Sequence, residues 1–305
     1  MSLRLASVSA FVAACDRARS LDLAAYTLRP GAVCAALVRA AERGAQVRVR
    51  LERDPLDDRS GSLHAANAAA VAALRAAGAD AALTVPGEPV LHMKAAVADG
   101  VAWFDDRNWA GSARETVLRD DDRADVAAVA AALAGRPGAT GRLRTDKAGA
   151  QALEAAVIRN AGAAPLSVES ESFGTGAVYS ALLRRAKAGR PTRLLVARRE
   201  ASERGRHGVT ERRRLGRLQA LGVDVRTGNV RAPDVDEKLA VAGVAAWAGS
   251  ANATYARGGA GRQRDWGITT HDPALLRGLA RAFETNWRAA IPFRRDTTTS
   301  HGCVL

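Results

Sequence analysis

The sequence predicts an α/β protein built from two copies of one unit, each a mixed β-sheet flanked by helices. Three observations lead there. The chain matches itself at a nearly constant offset: Ser20 to Val33 against Pro165 to Val178, and Ala36 to Ala41 against Ala181 to Ala186, both at 145 residues. Leu74 to Asp80 matches Leu218 to Asp224 at 144, and Glu115 to Asp122 matches Asp265 to Asp272 at 150, so the second copy has six extra residues near Gly258 to Gly261. Helix-like and strand-like apolar periodicities alternate within each copy. Finally, Asp99-Gly100 falls between two apolar runs, a strong signal for a two-residue hairpin turn.

Taken in order, a helix is expected at Val8 to Arg17 and a short apolar strand at Leu21 to Leu28. A second helix, Val33 to Arg43, stops at Gly44 and feeds a strand at Val47 to Glu52. A third, His64 to Ala77, stops at Gly78 before a strand at Ala81 to Val85. The hairpin then pairs Met93 to Ala98 with Val101 to Phe104. Trp103 and Trp247 hold matching positions and are expected as core aromatics that close the two hairpins. Gly135 to Gly141 reads as the connector, giving copies at residues 1–144 and 145–305.

The 305 residues are 48% hydrophobic and 25% charged, which excludes a disordered chain, a collagen and a disulfide-stapled miniprotein. Cys15, Cys34 and Cys303 are odd in number and lack metal-ligand spacing, so a reducing cytoplasm is expected. Val12 to Cys15 resembles a lipoprotein cleavage box, but cutting there would split a helix that recurs in the second copy. No apolar run approaches the length of a bilayer span. The net charge is +13 and uneven. Residues 1–150 hold 20 basic and 18 acidic side chains, the remainder 25 and 14. Much of the excess lies between Arg204 and Arg217, with Arg212, Arg213 and Arg214 in a row. A polyanion contact and a solvated helix face both fit that stretch.

The hairpin carries the chemistry. The first copy reads His92-Met-Lys94, four apolar residues and Asp99, with Asn108 after the return strand. Strand alternation puts His92 and Lys94 on one face. The second copy, 144 residues on, reads Asp236-Glu237-Lys238 and then Gly249-Ser250-Ala251-Asn252. The chain has 41 Arg and only four Lys, yet two of those four occupy one repeat position, as do two of its six Asn. A compact ammonium is needed there rather than a planar guanidinium.

A doubled His-x-Lys, four residues, Asp, then Gly-Ser-x-Asn resembles the phospholipase D superfamily, over nearly the whole chain to about Arg288. The resemblance implies two repeats packed about a pseudo-twofold axis around one metal-free, cofactor-free site. It implies His92 as the nucleophile that forms a phosphohistidine. It also implies Lys94, Lys238, Asn108 and Asn252 as holders of the non-bridging oxygens, Asp99 as the motif acid, and Glu115 as the carboxylate orienting His92, with Asp265 at the equivalent place in the second copy. Such a charge cradle would stabilise the transition state of an anionic phosphodiester. An uncharged imidazole with a fixed tautomer attacks well near neutral pH.

Two departures stand out. Asp105-Asp106-Arg107-Asn108 replaces Gly-Ser-x-Asn in the first copy, and the second copy lacks its His and the following Asp. Asp236, or Glu237 beside it, is then expected as the substitute proton donor. Ser250, Asp265, Arg212, Arg213 and Arg214 are expected on the substrate-binding side. His64 and His207 read as loop histidines. The function expected is metal-independent hydrolysis of a phosphodiester, or phosphatidyl transfer, by a monomeric phospholipase D-like enzyme. A nuclease acting on DNA or RNA, a catalytically impaired anion receptor, and a degenerate subunit of a larger assembly are the alternatives.

Overall fold

The computed structural model describes residues 3–56, 58–111, 115–198, 206–229, 235–255 and 263–294. The insertion at Gly258 to Gly261, the start of the basic stretch at Arg204, the side chain of His207, and His301 and Cys303 lie outside the described residues. The first half runs β1 (Arg4–Ala6), α1 (Val8–Cys15), β2 (Ser20–Ala25), α2 (Ala32–Glu42), β3 (Gln46–Leu51), α3 (Ser62–Ala76), β4 (Asp80–Leu83), β5 (Val90–Leu91), β6 (Ala95–Ala98), β7 (Val101–Asp105), β8 (Val117–Asp120) and α4 (Arg123–Leu133). The second runs β9 (Leu143–Arg144), α5 (Lys147–Asn160), β10 (Leu166–Ser170), α6 (Ala177–Lys187), β11 (Thr192–Val196), α7 (Arg206–Ala220) and β12 (Asp224–Thr227). It continues with β13 (Leu239–Ala242), β14 (Ala245–Gly249), β15 (Gln263–Arg264), β16 (Gly267–Thr270), α8 (Pro273–Ala289) and β17 (Ile291–Pro292).

Two large sheets share one strand order. The first is β1-β8-β7-β6-β2-β3-β4, and the second is β9-β16-β14-β13-β10-β11-β12 with β17 added at its far edge. The run β2-β3-β4 and its counterpart β10-β11-β12 are parallel, while the hairpin strands pair antiparallel. Each sheet is therefore mixed, as the repeat predicts. The strand β9 opens the second sheet by pairing with β16 just as β1 pairs with β8, so the chain enters that sheet at Leu143. In the first hairpin Ala98 sits opposite Val101, with φ of 44° at Asp99 and 78° at Gly100, the left-handed geometry a two-residue turn needs.

Alternation along the strands divides the core into layers. Leu21, Leu23, Ala96 and Trp103 face an outer core with α1, α2 and α3. Val168, Ala240 and Trp247 face the matching outer core with α5, α6 and α7. The opposite faces, including Ala95, Phe104, Ala246, Ala248 and Trp266, meet between the two sheets with α4 and part of α8. Both hairpin tryptophans are buried, as expected. Cys15 is wholly buried at the end of α1, where burial pushes its thiol up to about 12. Among the described residues no helix is long and apolar enough to cross a membrane.

Candidate active site

The two sheets meet along short links, and one of them builds the site. Strands β5 and β15, one from each half, pair in parallel, and the His92 amide donates to the Arg264 carbonyl at 3.0 Å. That bond sets His92 beside Asp265, whose Oδ1 accepts from His92 Nδ1 at 2.8 Å. The Ser250 hydroxyl donates to the same oxygen at 2.8 Å and accepts from the Trp266 amide at 3.0 Å. Asp265 is wholly buried. Burial alone would raise its pKa, but His92, Lys147 and Lys94 outweigh it and hold the carboxyl at about 2. An ionised Asp265 on Nδ1–H leaves Nε2 with the free lone pair, the arrangement a nucleophilic imidazole needs.

Lys94 folds over that nitrogen. Its ammonium donates to His92 Nε2 at 3.2 Å and to the His92 carbonyl at 2.8 Å, and it lies 5.3 Å from the Tyr26 ring centroid. The Tyr26 ring also meets His92 edge-on at 4.9 Å. Burial, then Lys94, lower the pKa of His92, and burial with Lys238 brings Lys94 down to about 8. The imidazole is therefore neutral at neutral pH. The nearby Asn108, at a φ of 63°, accepts the Thr27 amide on its side-chain oxygen at 3.2 Å.

The second half repeats the lysine. Lys238 donates to the Asp236 carbonyl at 2.5 Å, as Lys94 does to that of His92. Its other partner is a residue the sequence reading missed: Glu171, whose Oε2 accepts from Lys238 Nζ at 3.0 Å and from Asn252 Nδ2 at 3.2 Å. Burial raises the Glu171 pKa, but Lys238, His92 and Asn252 reverse that and hold it at about 2. The same contact, with Asp236, lifts Lys238 above its usual value despite burial. The signal was present in the repeat, because Glu171 occupies the position of Tyr26 at the offset of 145.

Several expected roles change. The carboxylate on His92 is Asp265, from the other half, and not Glu115. Glu115 accepts the Ala110 amide at 2.7 Å and lies against Asp105. Asp99 sits at the hairpin turn, at the far end of β6, where it accepts the Arg19 and Ser20 amides and so fixes the start of β2. Asp236 pairs with Arg107 at 3.0 Å instead of facing His92. Glu237 is buried and bonded to Thr116 and Asn286, where no leaving group can reach it. Ser250 and Asp265 are both wholly buried behind His92, so they position it and do not touch substrate. Arg212, Arg213 and Arg214 lie on α7, with Arg213 exposed and the others half-buried. His64 bonds the Arg53 carbonyl near the start of α3, and Trp266 donates to the Asp105 carbonyl at 3.1 Å across the sheets.

No family model matches the sequence, and no curated protein matches it. Solved structures do. A phosphatidylserine synthase from Haemophilus influenzae superposes with a TM-score of 0.69 at 9% identity, over 96% of this chain and 88% of that one. A polyphosphate kinase from Porphyromonas gingivalis superposes with a TM-score of 0.65 at 16% identity, over 94% of this chain. The two-repeat fold of this chain is phospholipase D-like. The chain spans only 47% of the kinase it matches. A member of the phospholipase D family from Salmonella typhimurium, Nuc, matches 47% of this chain at 18% identity, with a TM-score of 0.40. Within this fold the two hairpin motifs lie at one junction between the sheets, close enough for Lys238 to act on His92 and Lys94.

Proposed function

We propose that the protein is a phospholipase D-like phosphodiesterase that works through a phosphohistidine on His92. The observation that carries this reading is the chain Ser250–Asp265–His92, buried, ionised at Asp265, and ending in an Nε2 that faces the Lys94 ammonium. A bound phosphodiester would take the Lys94 proton donors away from Nε2 and free its lone pair for attack at phosphorus. Lys94, Lys238, Asn108 and Asn252 would neutralise the non-bridging oxygens, whose charge grows in the transition state. The active unit is a single chain, because both halves of the site come from one sequence. The substrate is a phosphodiester of lipid or nucleic acid. Phosphatidyl transfer is included because a phosphatidylserine synthase shares the fold.

The test is turnover in EDTA with phosphatidylcholine, phosphatidylglycerol, single- and double-stranded DNA, and bis-p-nitrophenyl phosphate. At least one should be cleaved by the wild type and by no His92→Ala preparation, and acid-labile, base-stable phosphate should be trapped on His92. Saturable binding of a phosphate ester without cleavage would favour the anion-receptor reading instead.

A further inference from the structure

Without a histidine at position 236, the second half of the site lacks the residue that would move protons opposite His92. Its replacement has to be a titratable group that reaches the cradle on the Lys238–Asn252 side. Asp236 is turned to Arg107, and Glu237 is buried against Thr116 and Asn286. Glu171 does reach it: the end of β10 delivers one carboxylate oxygen to both Lys238 and Asn252. Among the described residues no hydrogen bond occupies its other oxygen, and the side chain is 32% exposed.

We propose that Glu171 is the general base that activates the incoming water when the phosphohistidine is hydrolysed. The proposal rests on the His92 reading above. In the first step the His92 Nε2–phosphorus bond forms and the bond to the leaving oxygen breaks, with the electron pair departing on that oxygen. In the second, a water oxygen bonds phosphorus, the nitrogen–phosphorus bond returns its pair to His92, and the water proton passes to Glu171 and then to solvent. Held by Lys238 and Asn252, the carboxylate is ionised throughout the working pH range. It therefore has no proton to give the leaving group. The first step draws its proton from solvent and should depend steeply on leaving-group basicity, while the second step is base-assisted.

The experiment uses the full chain with bis-p-nitrophenyl phosphate in EDTA. Glu171→Gln should keep a burst of about one p-nitrophenolate per chain and then turn over roughly tenfold more slowly, a modest loss because a carboxylate held at about 2 is a weak base. Phosphorylated protein should accumulate, and its decay should be slower than that of the wild type at every pH from 5 to 8. In the wild type the decay should be flat from pH 5 to 8, a measurement that stands even if the variant fails to fold. Burst and steady state falling together would make Glu171 structural, and both rising would make it a plug in the cradle. Wild-type decay that rises with hydroxide would also overturn the proposal. Failure of the His92 reading looks different: the wild type itself would show neither turnover nor a labelled histidine.

Discussion

The two halves of the site share one layout and differ most at the two crossings between them, where one half has His92 and the other Asp236. At the first crossing between halves, Asp265 meets the imidazole of His92 at 2.8 Å. The second crossing would bring Glu115, its repeat counterpart, against Asp236. Two carboxyl groups meeting there offer each other no complementary partner, unlike an imidazole and a carboxylate. The chain resolves the conflict by moving both: Arg107 pairs with Asp236, and Glu115 turns to the Ala110 amide. Lys238 then takes Glu171 as its counter-charge, whereas among the described residues Lys94 makes no carboxylate bond of its own. Two differences, Asp236 for His92 and Glu171 for Tyr26, therefore account for an asymmetry that runs through both lysines. In the proposed reaction the first half attacks and the second holds charge.

The largest effect should come from breaking the first crossing. Asp265→Asn keeps the shape but removes the charge that fixes the tautomer of His92, so turnover should fall by about 10²–10⁴-fold. With Asp265 gone, the pKa of His92 drops further, and the acid limb of the rate profile should shift to lower pH. Glu115→Gln, the same change at the other crossing, should leave the rate within a few-fold. Equal losses in the two variants would mean the crossings are equivalent after all.

Next is Lys238→Arg, which should slow turnover about tenfold, less than the ~10²–10³ lost when a transition-state donor is removed outright. A planar guanidinium cannot keep both the Asp236 carbonyl and Glu171 in the positions the ammonium holds. Single-turnover rates would show the loss, and an unchanged rate would remove Lys238 from the phosphate cradle.

Much of this was legible in the sequence. The offsets near 145 gave two copies, and the apolar periodicity placed α1, α2 and α3 and their strands within a few residues. The short strands β1, β5, β9 and β15 were not legible. Two or three residues carry no periodicity, and tertiary pairing alone makes them strands. His92, Lys94 and Lys238 could be read because each sits in a local motif. The partner of His92 could not, because the choice between Glu115 and Asp265 depends on which half crosses to which. Glu171 was written in the repeat but hidden by its mismatch with Tyr26: a phenol and a carboxylate do not look like one function. Similarly, Asp99 reads as catalytic from motif spacing, while in three dimensions it serves the turn.

A smaller effect concerns the charge difference between halves. If the basic face of α7 touches a polyanion, Arg213→Glu should lower the slope of log affinity against log salt by about one or two phosphate equivalents. Arg48→Glu on β3, in the less basic half, should not change it. A salt-independent affinity in the wild type would return the α7 arginines to a solvated face.

The smallest effect separates two sets of buried carboxylates. Asp265 and Glu171, both held at about 2, lie in the site among cations. Asp106 and Glu169 lie in the seam between the sheets, where burial and then Glu237 push both well above the usual carboxylate range. The signs are opposite. For the site pair, the folded pKa is below the unfolded value of about 4, so their stabilisation is present above pH 4 and is lost as pH falls toward 2. For the seam pair, the stabilisation is full below about pH 4 and declines as pH rises toward their raised folded values. Glu169→Gln imitates the protonated acid and keeps an acceptor for Asn286, which now donates to Glu169 at 2.9 Å. It should leave the melting temperature at pH 4 unchanged and raise it at pH 9 by roughly 2–4 °C, the shift expected for about 1 kcal/mol in a domain of this size class. Glu171→Gln should do the reverse, lowering the melting temperature at pH 7 by stranding Lys238 and losing that penalty as the pH approaches 2. Parallel melting curves for the two variants across pH would show that the seam and the site titrate as one network.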